Sequence, residues 1–277
     1  MIHIQVLIDN FPSVEQPELK SEHGLSFFVM YKGKRILCDM GASPAFLENA
    51  EQMQVNLKKL DFAFLSHGHA DHTGGLRAFL SYNDKTPVYL ASSICQQRYF
   101  SSRRGFKREI STEAALFELY PDRLIPVSES TWLGEGIAVV RNQCHQYAKP
   151  LGNQYLTVAE AGTEQLDAFT HELSLAFVTS EGLVILSSCS HEGALNIIDS
   201  CVKFMGEKHV RAFIGGLHLV DSDQVADEAS LLTSQLQSFY PGLKVITGHC
   251  TGVRAREVLK EVPFISFFQT GWNWNQE

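Results

Sequence analysis

Leu60-Asp-Phe-Ala-Phe-Leu-Ser66-His67-Gly68-His69-Ala70-Asp71-His72-Thr73-Gly74-Gly75 decides the reading of this chain. A short apolar run ends in three imidazoles and one carboxylate within six residues, 67 to 72. Two neutral imidazoles at i and i+2 beyond a strand end can converge on one borderline-soft divalent ion. The adjacent Asp71-His72 pair can then turn toward a second ion a few ångströms away. Gly68 and Gly74-Gly75 leave the backbone free to wrap closely around such a centre. Any one of these histidines alone reads as a surface residue on a polar turn, but only eleven are spread over the whole chain. Their concentration here points to metal binding.

Further strand-like runs of the chain end in histidine beside glycine. Leu183-Val-Ile-Leu-Ser-Ser-Cys189-Ser190-His191-Glu192-Gly193 is an apolar strand followed by soft-ligand residues and the start of a helix. Phe213-Ile-Gly-Gly-Leu-His218 and Ile246-Thr-Gly-His249-Cys250-Thr-Gly252 repeat the layout. Strand ends bring side chains together where backbone groups remain available to an anion. His191 and His249 are therefore expected as metal ligands, and Cys189 as a ligand or as packing beneath the site. His218 is expected as a ligand or as a donor to substrate. Cys250 reads as a small buried hydrophobe. His145, in Asn142-Gln-Cys-His-Gln, is a further ligand candidate although its loop lacks glycine. His171-Glu172 opens a strand and suits hydrogen-bonding support of a ligand histidine as well as any direct role, and Asp39-Met-Gly41 suits such support better than a simple Asx turn. His3, His23 and His209 have no supporting constellation.

The rest of the chain bounds the answer. With 277 residues and 44% hydrophobic content it can bury a sizeable core. The net charge of -8, with 23 scattered Lys and Arg, lacks the basic footprint of a nucleic-acid groove. The short basic group Arg103-Arg104, Lys107-Arg108 reads as solvated surface before it reads as a contact for an anionic partner. No apolar run approaches 18 residues and the start lacks a basic leader region, so no membrane role and a cytoplasmic location are expected. Six cysteines without a CxxC pair suit thiols in a reducing compartment better than a disulfide scaffold.

Strands are expected at 2–8, 25–31, 35–38, 60–65, 88–91, 136–140, 173–179, 183–186, 212–214 and 244–247. Helices are expected near 44–51, with Ser43 as N-cap and Pro44 first in the helix, and at 76–82, 111–117, 193–204 and 223–239. The aromatic C-terminal stretch, Phe264, Phe267, Phe268, Trp272 and Trp274, suits core closure or a subunit contact better than a pocket wall. This order indicates an α+β fold over 1–277 as a single domain, a four-layer αββα sandwich that keeps both apolar sheet faces dry.

His67, His69, Asp71 and His72 resemble the His-x-His-x-Asp-His signature of the metallo-β-lactamase fold superfamily, and Asp39-x-Gly41 has the usual upstream placement. Glu172, Cys189-Ser-His191, Gly215-Gly-Leu-His218 and His249-Cys-Thr-Gly252 extend the resemblance. They point to the branch that includes the 7,8-dihydropterin-6-methyl-4-(β-D-ribofuranosyl)aminobenzene-5'-phosphate synthases. The resemblance implies a first ion held by His67 and His69, a second by Asp71 and His72, and His249 as the late ligand. Two features depart from the superfamily pattern: Cys189-Ser190-His191 stands where many members carry a bridging Asp, and only His145 is available for the usual middle His.

Two divalent ions, zinc first with manganese or iron as alternatives, would lower the pKa of a shared water and neutralise a leaving group. The expected function is thus a dinuclear metal-dependent hydrolase acting on a small phosphorylated or cyclic ester, with Asp71 and His218 as catalytic residues. The alternatives are a transferase condensing a dihydropterin with a phosphorylated aminobenzene riboside, and a non-catalytic metal-binding module. The expected partner is a small anionic substrate, with a homo-oligomer compatible.

Overall fold

The computed structural model describes residues 1–276, which divide into two compact units. The first comprises 1–128, 155–171 and 269–276, and the second comprises 129–154 and 172–268.

The first unit is built on a seven-stranded sheet. Edge to edge it runs Asn273–Gln276, Ile2–Ile8, Ser26–Tyr31, Lys34–Cys38, Phe62–Phe64, Val88–Ala91 and Leu124–Val127. The first four strands pair antiparallel, and pairing becomes parallel from Lys34–Cys38 onward. Ile2, Ile4 and Val6 are buried while His3 and Gln5 are partly exposed, the period-two pattern of a half-covered strand. The Lys32-Gly33 turn has φ of 46° and 80°, both in the left-handed region that a two-residue hairpin turn of type I′ requires. The helix expected after Ser43 spans Ala45–Gln52, with the Ser43 hydroxyl accepting the Ala45 N–H at 3.2 Å.

The C-terminal aromatic stretch closes the sheet edge. Asn273–Gln276 pairs with Ile2–Gln5, and the Trp272 carbonyl accepts the Val6 N–H at 2.8 Å.

A four-stranded sheet of the first unit, in the order Thr163–Leu166, Leu156–Glu160, Arg98–Ser101 and Arg108–Glu109, was not legible in the sequence. Thr163–Leu166 is exposed throughout, so no apolar alternation announces it. Its ladder bonds come from the partner strand instead. The basic group lies here on exposed surface, with Lys107 paired to Glu164 and Arg98 to Glu109. The helix expected over 111–117 forms only at Ala115–Leu119, because Ser111 bridges to His69 and the Thr112 N–H bonds to the Gly68 carbonyl.

The second unit repeats the plan. Its sheet runs Ile265–Phe267, Lys244–Thr247, Val210–Ile214, Gly182–Leu186, Leu173–Thr179, Ile137–Arg141 and Thr131–Gly134. The first four strands are parallel and the remainder antiparallel. Helices Ala194–Met205, Val225–Phe239 and Val253–Leu259 supply the cover. Leu195, Ile198 and Cys201 of the first face Ile185 and Phe213 of the sheet in one core. Gly206, at φ 71°, ends that helix in the left-handed conformation that residues with a Cβ resist. None of the helices among the described residues is long and apolar enough to cross a membrane.

Phe213 is fully buried in this second core. Phe213→Ala is expected to lower the unfolding free energy by about 3–5 kcal/mol, read from urea denaturation.

Candidate metal centre

Each unit carries a buried set of ligand-type side chains at the carboxyl ends of neighbouring strands. In the first unit Asp39 ends the strand Lys34–Cys38 with φ 57° and is fully buried. Its carboxylate accepts the Ser66 N–H at 2.7 Å, the Ser66 hydroxyl at 2.7 Å and His72 Nδ1 at 2.7 Å. The Ser66 hydroxyl spends its one proton on Asp39, so it accepts from His67 Nδ1, 2.8 Å away. Both His67 and His72 thereby carry the proton on Nδ1 and present Nε2 as the basic nitrogen. That is the arrangement by which carboxylates orient metal-binding imidazoles.

The two rings lie 4.2 Å apart between centroids, and the His67 and His69 rings 4.6 Å apart. Burial holds the His69 imidazole down at about 3 against an ordinary value of 6.5, with His171 adding to the effect. His69 is therefore a neutral donor across the physiological range. Asp71 is partly exposed, with Oδ2 3.7 Å from His72 Nε2 and 3.5 Å from His23 Nε2. His23, which no sequence motif supported, thus stands beside the motif carboxylate.

Gly68 is held on three sides. Its N–H donates to His171 Nδ1 at 3.1 Å, and its carbonyl accepts from the Thr112 N–H and hydroxyl, each at 3.1 Å. A Cβ at this position would stand 2.3 Å from the buried Tyr99 ring, so only glycine allows the approach. His171 in turn donates through Nε2 to Asp167 at 3.0 Å. Although His69, Asp167 and His171 are close enough to surround an ion, both nitrogens of His171 are committed to these bonds. His171 is a strut that fixes the loop between His67 and His69. Burial opposes ionisation of Asp167, but the His171 bond and neighbouring imidazoles outweigh it and hold its carboxyl low. Asp167 and Tyr99 escaped the sequence reading because they come from the four-stranded sheet and its flank, which carry no motif.

In the second unit Glu172 accepts the N–H groups of His191 and Glu192, each at 2.8 Å. Burial pushes its carboxyl up to about 8, with these two bonds opposing the shift. His191 Nδ1 donates to Asn153 Oδ1 at 3.1 Å, while Asn153 Nδ2 donates to the His191 carbonyl at 2.8 Å. The pair fixes the amide orientation and makes Nε2 the basic nitrogen of His191. Asn153 lies in the short 3-10 helix Leu151–Tyr155, whose Leu-Gly-Asn-Gln-Tyr sequence carries no recognisable pattern, and the sequence offered no signal for it.

His218 packs its ring 4.1 Å from that of His191, and one donor atom each of Cys189, His218 and Cys250 lies within 4.8 Å of the other two. His249 is buried in the next strand-end loop. Ser190, His218 and His249 have φ of 63°, 49° and 50°, so non-glycine residues occupy the left-handed region at three strand ends. Such strain persists only where surrounding contacts over-determine it, and it clusters at functional sites. His145 does not join the buried set. It is exposed, with Nδ1 3.6 Å from the Glu192 carboxylate, which Lys149 already pairs at 2.8 Å. Leu217 and Leu219, on either side of His218, line a cavity of about 510 Å³ that Lys149 and Glu228 also reach.

The donors in both units are imidazoles, carboxylates and sulfurs, and the Nδ1 atoms of His67, His72 and His191 are tied to outer acceptors. That chemistry suits a borderline-soft divalent ion.

Comparison with known proteins agrees. Residues 21–150 match the family described as the metallo-beta-lactamase superfamily. The chain is 30% identical over 275 residues to the 7,8-dihydropterin-6-methyl-4-(beta-D-ribofuranosyl)-aminobenzene-5'-phosphate synthase of Methanocaldococcus jannaschii, covering 94% of this chain and 91% of that protein. Among solved structures, Tm1679, described as a metal-dependent hydrolase of the beta-lactamase superfamily, superposes with a TM-score of 0.81 at 26% identity, covering all of both chains. The short form of human tRNase Z shares the fold alone, with a TM-score of 0.55 at 11% identity over 99% of this chain and 98% of that one. The fold is thus the mixed α+β sandwich anticipated from the sequence.

Two outcomes are expected. Asp39→Ala should weaken metal affinity about 10–100-fold in a competition titration, because two imidazoles lose their orientation together. In the metal-free protein, the unfolded chain takes up a proton at the His69 position near 6.5 while the folded state resists down to about 3. Stability should therefore fall as pH drops through that window, by up to about 1.4 kcal/mol per pH unit for this group, and denaturation midpoints across the range would register it.

Proposed function

The chain belongs to the metallo-β-lactamase superfamily, and from that premise we propose that it is a dinuclear metal-dependent hydrolase of a small phosphorylated or cyclic ester. The observation that carries the reading is the Asp39 carboxylate, which fixes the tautomers of His72 directly and of His67 through Ser66. Side chains arranged for packing alone have no need of such proton control.

His67, His69, Asp71 and His72 are the proposed ligands from the first unit, and Cys189, His191 and His249 those from the second. Zinc is the proposed metal, with manganese or iron as substitutes at the same donors. Two such ions, when bound, lower the pKa of a water and neutralise charge on an oxyanion or leaving group.

The chain's own residues do the rest. Asp71, the least buried member of the motif, is placed to accept a hydrogen bond from the attacking water and hold its orientation. Gly68, pinned by His171 and Thr112, keeps His67 and His69 from drifting. The cavity lined by Leu217 and Leu219 is of the size that small-molecule sites occupy, with Lys149, Asp227 and Glu228 as the charged groups on its wall.

A second reading has an observation of its own. The 30% identity to a synthase spans 94% of this chain, which favours condensation of a dihydropterin with a phosphorylated aminobenzene riboside at the same donors. There the ions would neutralise a departing diphosphate, and no water would attack.

Asp71→Asn should lower hydrolysis of phosphodiester, phosphomonoester or lactone probes by about 10²–10⁴-fold while the protein still binds metal. Elemental analysis alongside the assay separates loss of chemistry from loss of the ion. A wild-type enzyme that holds both ions yet turns over none of these probes would sink the hydrolase reading, and product formation from the two pterin-pathway substrates would then favour the second. His67→Ala and His249→Ala should each reduce the metal that the protein binds.

A further inference from the structure

Cys250 has no part in the reading above, and its surroundings are those of a ligand. We propose that Cys189, His218 and Cys250 form a soft-donor site for a thiophilic cation, of the zinc, cadmium or cuprous type, within the second unit. Only Cys189 is shared with the ligands assigned to the hydrolytic centre, and the proposal does not depend on that assignment.

The three residues follow the strands Gly182–Leu186, Val210–Ile214 and Lys244–Thr247, which are parallel neighbours in the sheet. Their carboxyl ends therefore open on the same edge, where the loops of parallel sheets assemble ligand sites. The residues are buried, at 3%, 6% and 8% exposure. One donor atom of each lies within 4.8 Å of the others. Donors at about 2.0–2.3 Å from a zinc ion stand about 3.4–3.8 Å apart in a tetrahedron, so a small closure would complete the shell.

Two independent features point to an occupant. Both ring nitrogens of His218 are buried and lack a hydrogen-bond partner among the described residues. A buried imidazole in that condition is costly unless something takes its lone pair. The backbone is also cleared for the sulfur, since a Cβ on Gly216 would stand 2.3 Å from Cys250 Sγ. The backbone N–H of His218 reaches that same Sγ at 3.3 Å, and the Sγ lies 3.5 Å from the Cys189 carbonyl, which fixes its position between the two loops. Two sulfurs and one imidazole select soft and borderline ions over magnesium, calcium or manganese, and three protein donors leave a fourth position open. This assigns His218 to ligation, where the sequence left ligand and substrate donor both open.

The test is a cadmium titration of the full-length metal-free protein, followed by the thiolate-to-metal charge-transfer absorption. Cys250→Ser should remove about half of the band, and His218→Ala should weaken cadmium binding at least tenfold. Cys201→Ser, which alters a buried thiol in the core of the same unit, should change neither. X-ray absorption at the cadmium edge of the unaltered protein loaded with one equivalent supplies a measurement that needs no variant, and a shell with two sulfur scatterers supports the site, because the hydrolytic ligands offer a single sulfur. A band and affinity unchanged by Cys250→Ser and His218→Ala, or a shell with one sulfur or none, would overturn it. Ester turnover is not a readout here, so failure of this site and failure of the hydrolase reading remain distinguishable.

Discussion

The candidate ligand set of the first unit depends on one buried carboxylate. Asp39 accepts the backbone N–H and hydroxyl of Ser66 and the Nδ1 proton of His72, and through Ser66 it reaches His67. A charge taken out of water is tolerated only when its acceptor positions are filled, and here the groups filling them are those whose orientation a metal would require. The three bonds that fill its acceptor positions thus also orient His72 directly and His67 through Ser66. Asp39 also ends one parallel strand while Ser66 follows the next, so the sheet register itself sets the distance between them.

The strand ends are where the chain accepts strain. Asp39, Ser190, His218 and His249 all sit at positive φ, although none is glycine. A left-handed residue reverses the chain sharply after a strand and turns its side chain back toward the sheet edge. Glycine would adopt the same backbone more easily but has no donor to offer. The neighbouring glycines have a different part, admitting Tyr99 against residue 68 and the Cys250 sulfur against residue 216.

The second unit reaches an equivalent result with different chemistry. Glu172 holds the backbone of His191 and Glu192, and Asn153 fixes the ring and carbonyl of His191. Carboxylate-to-backbone and amide-to-imidazole bonds replace the direct carboxylate-to-imidazole bond of Asp39. The sulfurs of Cys189 and Cys250 give this unit a softer character, which the all-imidazole and carboxylate set of the first unit lacks.

The sequence by itself determined the metal-type motif, the strand-to-loop-to-helix layout and the α+β class. Those depend on local spacing and on periodicity in apolar runs, as in Ile2–Ile8 and Gly182–Leu186. It also indicated Asp39 as support, because the residue follows its strand directly. Tertiary structure alone decided what braces the motif. Tyr99 and Asn153 meet Gly68 and His191 from more than thirty residues away, and Asp167 braces His171 from a segment without a motif; contacts of that kind leave no trace in local composition. It likewise left His145 at the surface beside Glu192 and brought Cys250 to His218, because adjacency in a parallel sheet follows strand order in space, which spacing along the chain does not encode.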